Sequence, residues 1–258
     1  MRLEHSHSAE TEAIAAELVR ARLSGRGVPN TGVPAPANAM CAMQIQALVQ
    51  EQSARPVGGW KVAIGPENRP IAAPLLDVYS DSSEISLFPN CSVEVELAVR
   101  LGKDLPRRET GAYNRSDILN AIESLVLGIE VIGGRFDDTA NVPFLSFLAD
   151  NLGNRAYIIG DRLPRSTVEQ VGGLVCHLTL DEMPLYQVPA SHPAEDPLLP
   201  LLAYANEQSD YLGGLRAGQI VTTGSLCGVL PVRAAGLLRA QLDKVGQASV
   251  RFVSGESE

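Results

Sequence analysis

The chain is short of several things, and each shortage narrows what it can be. Its 258 residues include four cysteines, Cys41, Cys91, Cys176 and Cys227, set far apart. No Cys-x-x-Cys and no Cys/His cluster with zinc spacing occurs, which argues against a structural zinc site or a disulfide scaffold. The cysteines read as free thiols of a reducing compartment. Positive charge is also scarce: 21 Lys and Arg against 30 Asp and Glu leave a net charge of −9. That balance argues against non-specific binding to nucleic acid or to an anionic membrane. It leaves room for a small anionic substrate, because a bound cation can reverse the local sign. No apolar run is long enough to span a bilayer, and the polar N-terminus has no signal-peptide pattern. A cytoplasmic protein is the expectation.

What is present suits a globular fold. Hydrophobic content of 45% and charged content of 20% are ordinary, and the length can bury a full core. His5 and His7 lie in a polar start that reads as a loose tail. Ile14, Leu18, Val19 and Leu23 recur at helical spacing over residues 11–23, and Gly25 stops the pattern. Residues 26–38 are rich in Pro, Gly and Asn and read as a loop. A second helix is expected over residues 39–52. Strands are expected at 59–64 and 92–101, joined by a Pro-containing connection over 65–83. Ser116 is the expected N-cap of a helix reaching Leu125. Further strands are expected at 127–132 and near 156–160, 172–180, 219–223 and 247–253, with a helix near 197–206. The pattern predicts an α+β architecture. One domain over residues 1–258 is expected, with a helical N-terminal segment at 1–57 and a β-rich core at 58–258.

The most informative segment is Ser92-Val93-Glu94-Val95-Glu96-Leu97-Ala98-Val99. Its period-two alternation places Glu94 and Glu96 on one face and Val93, Val95 and Leu97 on the other. Two adjacent carboxylates on an apolar strand repel each other and are costly to bury unless neutralised. A hard divalent cation, Mg²⁺ or Mn²⁺, would neutralise them. Taken alone, the pair reads more readily as the solvated acidic face of a half-exposed strand, by about two to one. Glu130 adds to the case. It is the one charged residue of the apolar run Leu127-Gly128-Ile129-Glu130-Val131-Ile132. With Glu94 and Glu96 it would give three carboxylates and leave coordination positions open.

A resemblance then emerges from motifs in order. Gly59-Trp60-Lys61-Val62, Ala73-Pro74-Leu75-Leu76, the Glu-x-Glu strand and Leu101-Gly102-Lys103-Asp104-Leu105 come first. Ile129-Glu130-Val131 with Arg135-Phe136 and Leu148-Ala149-Asp150-Asn151 follow. Residues 214–225, Gly-Leu-Arg-Ala-Gly-Gln-Ile-Val-Thr-Thr-Gly-Ser, close the series. Together, over about Gly58 to Phe252, they resemble the 2-keto-4-pentenoate hydratase branch of the fumarylacetoacetate hydrolase family. The resemblance implies a mixed, rolled β-sheet core with peripheral helices. It implies one Mg²⁺ or Mn²⁺ held by Glu94, Glu96 and Glu130. It places Lys61 near the site and a small 2-oxo acid as substrate.

The implied reaction is hydration of a 2-hydroxy-2,4-dienoate to a 4-hydroxy-2-oxo acid in a catabolic route. Lys61 would deliver or remove a proton, or orient the carboxylate, with its pKa depressed by the neighbouring cation. Asp77 lies where relatives place a site-facing acid. Arg135 is a candidate to pair with the substrate carboxylate or a ligand glutamate. Thr223 and Ser225, in a Gly-bounded turn, are candidates to bind that carboxylate, with a plain turn as the alternative. Asp150-Asn151 reads as a loop start in a supporting role, and His177 and His192 as structural or surface residues. Two departures stand out. Gly133-Gly134 replaces the Asp-Ser usual in relatives, and residues 65–75 are shorter than the usual connection. The alternatives are a decarboxylase of a 2-oxo-3-enedioate, a related 2-oxo-acid lyase or hydrolase, and a non-catalytic partner subunit of a hydratase–decarboxylase complex. A homo-oligomer is expected, possibly joined by a decarboxylase partner.

Overall fold

The computed structural model describes residues 8–254. His5 and His7 lie outside the described residues. Two helices lead, α1 (Ala9–Ser24) and α2 (Ala39–Ser53). Ser8 caps α1 by accepting from the Thr11 N–H, and Gly25 ends it in the left-handed conformation at φ 69°. Asn38 caps α2 by accepting from the Cys41 N–H.

The chain then turns to strands: β1 (Gly59–Ile64), β2 (Pro70–Leu75), β3 (Val78–Ser80), β4 (Ser83–Ser86) and β5 (Ser92–Leu101). The short helix α3 (Arg115–Ala121) precedes β6 (Ile122–Ile132), and α4 (Phe144–Ala149) precedes β7 (Asn154–Leu163). After α5 (Thr167–Gln170) come β8 (Val175–Leu180) and β9 (Met183–Pro189). Helix α6 (Leu199–Asn206) leads to β10 (Ile220–Ser225), β11 (Leu230–Pro231), β12 (Gly236–Leu242) and β13 (Gly246–Val253).

These strands build two sheets. The larger runs β2-β1-β10-β5-β6-β7-β3, with β11 on the end of β5; the smaller runs β4-β13-β12-β8-β9. The larger sheet is mixed, since β1 runs parallel to β10 while β5, β6 and β7 are antiparallel. Val93, Val95 and Leu97 of β5 share one buried cluster with Ile129 and Val131 of β6 and with Leu178, Leu238 and Phe252 of the smaller sheet. A second cluster joins Ile14, Leu18, Ile45 and Leu48 of the leading helices to Ala73, Leu76 and Leu148. The architecture is the α+β, mixed-sheet fold with peripheral helices that the sequence predicts. No helix among the described residues is long and apolar enough to cross a membrane.

Three local expectations need correction. The helix expected from Ser116 to Leu125 is capped by Asn114, in a reciprocal capping box with Asp117, and ends at Ala121. Ile122 onward pairs with β5 instead, so the tertiary ladder overrides helical propensity. The connection over 65–83 contains β2, β3 and the start of β4, which pair with β1, β7 and β13. The sequence reading also passed over β9, β12 and α4.

Candidate metal centre

Strand register assembles the site. Glu94 on β5 lies directly opposite Glu130 on β6, and Glu96 lies opposite Gly128. Glu130 in turn lies opposite Tyr157 on β7. On the other side of β5, β10 carries Thr222, and Lys61 on β1 stands opposite Thr222. One carboxylate oxygen from each of Glu94, Glu96 and Glu130 lies within 4.8 Å of the others. The same-face pair and the lone acid of the next strand therefore meet.

The cluster is deeply placed. Glu96 and Glu130 have no solvent exposure, and the Glu94 and Lys61 side chains are nearly buried. The Lys61 ammonium stands 2.8 Å from Glu130 Oε2 and 3.3 Å from Glu94 Oε2. Asn154 Nδ2 donates to Glu130 Oε1 at 2.9 Å, and the Thr222 hydroxyl donates to Glu96 Oε2. Glu96 Oε1 is buried with no hydrogen-bond partner. Gly128 matters here: a Cβ at that position would meet the Tyr157 hydroxyl at 2.0 Å. Its absence leaves room for the Tyr157 hydroxyl beside β6.

Burial and charge together set the direction of each pKa. Burial, then the charges of Glu130 and Glu94, raise the Glu96 pKa well above the ordinary carboxylate value. Burial raises Glu130 as well, and Lys61 opposes that rise. Burial alone would lower the Lys61 pKa, but Glu130, Glu94 and Glu96 outweigh it and raise it above the ordinary lysine value. The expected depression of the Lys61 pKa is thus not produced by the chain's own charges. One ammonium faces three carboxylates, so the cluster is short of positive charge. A hard, all-oxygen donor set with an unpaired buried oxygen fits Mg²⁺ or Mn²⁺.

Lys61, Glu94, Glu96, Tyr186, Ser225 and Cys227 are among the residues lining a cavity of about 490 Å³. Ser225, at the end of β10 rather than in the expected turn, lines this cavity, and its hydroxyl donates to the Gly228 carbonyl at 3.0 Å. Thr223 does not face the cluster. Its hydroxyl lies 3.2 Å from His192 Nε2, and its neighbour Thr222 holds the inward position. Burial lowers the His192 pKa, in keeping with a structural histidine.

Asp77 and Arg135 are placed elsewhere. Asp77, in the link between β2 and β3, pairs with Arg22 and Arg55 at 2.7 Å each. Arg135 is buried. Its Nη1 donates to the Asn154 carbonyl at 2.7 Å and pairs with Asp150 Oδ1 at 3.3 Å. Both line a second cavity that shares no lining residue with the first. The structure instead brings Thr222, Asn154 and Tyr157 to the carboxylates, none of which the sequence reading singled out. All four cysteines are free thiols.

Residues 40–253 match the family model described as fumarylacetoacetate (FAA) hydrolase C-terminal. The chain belongs to the fumarylacetoacetate hydrolase family. Among curated proteins it is similar to the 2-keto-4-pentenoate hydratase of Paraburkholderia xenovorans, at 24% identity over 179 residues. That alignment covers 69% of this chain and 64% of the relative. The hydratase of Burkholderia vietnamiensis is 28% identical over 162 residues, 62% of this chain and 60% of that one. The chain thus spans less than two thirds of the length of these relatives. Among solved structures, the 4-oxalocrotonate decarboxylase from Pseudomonas putida G7, complexed with magnesium and adipate, superposes with a TM-score of 0.77. It shares 18% identity and covers 95% of this chain and 97% of that chain, a likeness of fold.

Proposed function

We propose that this family member is a divalent-metal-dependent hydro-lyase that hydrates a 2-hydroxy-2,4-dienoate to a 4-hydroxy-2-oxo acid. The observation that carries the reading is the buried meeting of Glu94, Glu96 and Glu130 with Lys61, where Lys61, Glu94 and Glu96 line one cavity. The names of the curated hydratases support it. Glu94, Glu96 and Glu130 would hold Mg²⁺ or Mn²⁺. So held, the ion would supply a Lewis acid for the 2-oxygen of the substrate.

The remaining work falls to the chain. Thr222 and Asn154 fix the rotamers of Glu96 and Glu130 through their hydrogen bonds. Ketonisation moves a proton from the 2-hydroxyl to carbon, and water then adds across the remaining conjugated double bond. Lys61 is the one cationic side chain lining this cavity and is the proposed proton carrier. Ser225, lining the same cavity, is the proposed binder of the carboxylate. A soluble homo-oligomer is part of the proposal, because Met183, Leu185 and Val188 stand exposed along the edge strand β9.

The test is turnover of a panel of 2-hydroxydienoic and 2-oxo-enedioic acids with Mg²⁺ or Mn²⁺, read by ultraviolet absorbance and mass. Uptake of one water with metal dependence is the expected result. Release of carbon dioxide from the enedioic acids would replace hydration with decarboxylation. No metal-dependent turnover of any member would overturn the proposal and leave a binding subunit.

A further inference from the structure

The second cavity carries a function that the carboxylate cluster does not use. It encloses about 280 Å³ and is lined by Arg22, Arg55, Arg135 and Arg155 together with Asp77 and Ser53, among others. These arginines gather in a chain whose net charge is −9. Asp77 pairs with both Arg22 and Arg55, and Asp150 pairs with Arg135. Glu84 stands exposed at the rim. Arg155 has no carboxylate partner among the described residues and lies over the Phe88 ring at 4.1 Å. The guanidiniums therefore outnumber the carboxylates.

The polar atoms of this cavity are also unfinished. Arg135 is 3% exposed, yet its Nε and Nη2 have no hydrogen-bond partner. The buried Ser53 hydroxyl has none either. A buried guanidinium with idle donors is costly unless an acceptor reaches it. Arg22 and Arg155 are both pushed down, by burial first and then by the charge of Arg135. Each of these observations asks for the same missing component, a compact anion with several acceptor oxygens.

We propose that this cavity binds a small oxyanion, the carboxylate or phosphate group of a metabolite, at a site separate from the carboxylate cluster. Guanidiniums match such groups through paired, charge-assisted hydrogen bonds. The volume admits a group the size of pyrophosphate or a short dicarboxylate. The site also communicates with the cluster. Arg135 donates to the Asn154 carbonyl at 2.7 Å, and the Asn154 side chain donates to Glu130 at 2.9 Å. An anion that draws on Arg135 therefore acts on a residue that orients a candidate metal ligand.

The test uses the full chain in EDTA, so that no metal can bridge an anion to the carboxylates. Inorganic phosphate, pyrophosphate and succinate are titrated separately by calorimetry at constant salt. One equivalent of anion per chain is expected. Tighter binding of the phosphates would identify a phosphoryl ligand, and tighter binding of succinate a carboxylate ligand. Arg155→Gln should weaken binding at least about tenfold, the loss of one charge-assisted contact. That variant relieves repulsion among like charges and should fold; its melting curve checks this. Arg55→Gln, at a more exposed position, provides a second variant with a smaller loss. Absence of binding by all the probes, or equal affinity in wild type and Arg155→Gln, would overturn the proposal. Neither outcome touches the hydratase reading, which rests on the other cavity.

Discussion

Lys61 Nζ lies 2.8 Å from Glu130 Oε2, and this ion pair is the centre of the site. Glu130 has no solvent exposure; burial raises its pKa, and this ammonium and the Asn154 hydrogen bond oppose that rise. The same ammonium reaches Glu94, while Glu96 is left to Thr222. The arrangement is a set of three carboxylates partly neutralised by one lysine. Its properties can be tested with and without metal.

Metal affinity comes first. Glu96 contributes a buried oxygen with no other partner, so Glu96→Gln should remove a ligand without breaking the strand. A second-site loss of orientation typically costs about 10–100-fold in affinity, and loss of a ligand should cost at least that. Mn²⁺ binding followed by electron paramagnetic resonance should fall accordingly in Glu96→Gln and vanish in the Glu94→Gln, Glu96→Gln double variant. Undiminished binding in the double variant would remove the site.

Stability without metal should depend on pH through the same residue. The Glu96 pKa is raised above its ordinary value of 4.5, by burial first and then by its acidic neighbours. A raised acid pKa means that the folded chain holds this proton more tightly than the unfolded chain. The contribution is full below the ordinary value and is lost as pH rises through the folded value. In EDTA the melting temperature should therefore fall as pH rises from the ordinary carboxylate value toward neutrality. Glu96→Gln should flatten that fall, and added Mg²⁺ should offset it in the wild type. A slope that is identical in wild type and Glu96→Gln would refute the assignment.

Much of this was legible in the sequence, and the rest was hidden for physical reasons. Glu94 and Glu96 declared their common face because β5 alternates strictly with valines. Glu130 could be joined to them only through strand pairing, which the family resemblance supplied. Thr222 and Thr223 are harder. Both flanks of β10 are buried, so apolar alternation does not say which threonine faces the carboxylates. Asn154 sits at the first position of β7, where no periodic pattern precedes it. Asp77 and Arg135 carried the right chemistry for a site, but their partners, Arg22, Arg55 and Asp150, are set by packing of distant segments.

Asp77 gives a direct comparison between the two cavities. Its pair with Arg22 is nearly buried, whereas Arg55 is half exposed and adds little. Asp77→Asn should weaken the tie between α1 and the sheet and cost about 1.5–3 kcal/mol in denaturant unfolding. Metal binding should be unchanged, because Asp77 lines the arginine cavity and not the one beside the carboxylates. A large loss of Mn²⁺ affinity with unchanged stability would instead return Asp77 to the metal centre.

Lys61 separates proton transfer from charge balance. Its ammonium is held above the ordinary lysine value by Glu130, Glu94 and Glu96, against the effect of burial. Lys61→Ala would leave the carboxylates facing one another. Removing one partner of a buried ion pair costs about 3–5 kcal/mol, and proton uptake by Glu130 should absorb part of that at acidic pH. Metal should restore stability to this variant, since the cation supplies the missing positive charge. Catalysis should respond differently. If Lys61 carries a proton, kcat should fall about 10²–10⁴-fold in Lys61→Ala even when the protein is saturated with metal and substrate. Lys61→Arg should restore stability and much of KM but not kcat, because a guanidinium does not release its proton at neutral pH. A Lys61→Arg enzyme with full kcat would show that only the charge is needed. A Lys61→Ala enzyme with full kcat and raised KM would leave Lys61 as an anchor for the substrate carboxylate.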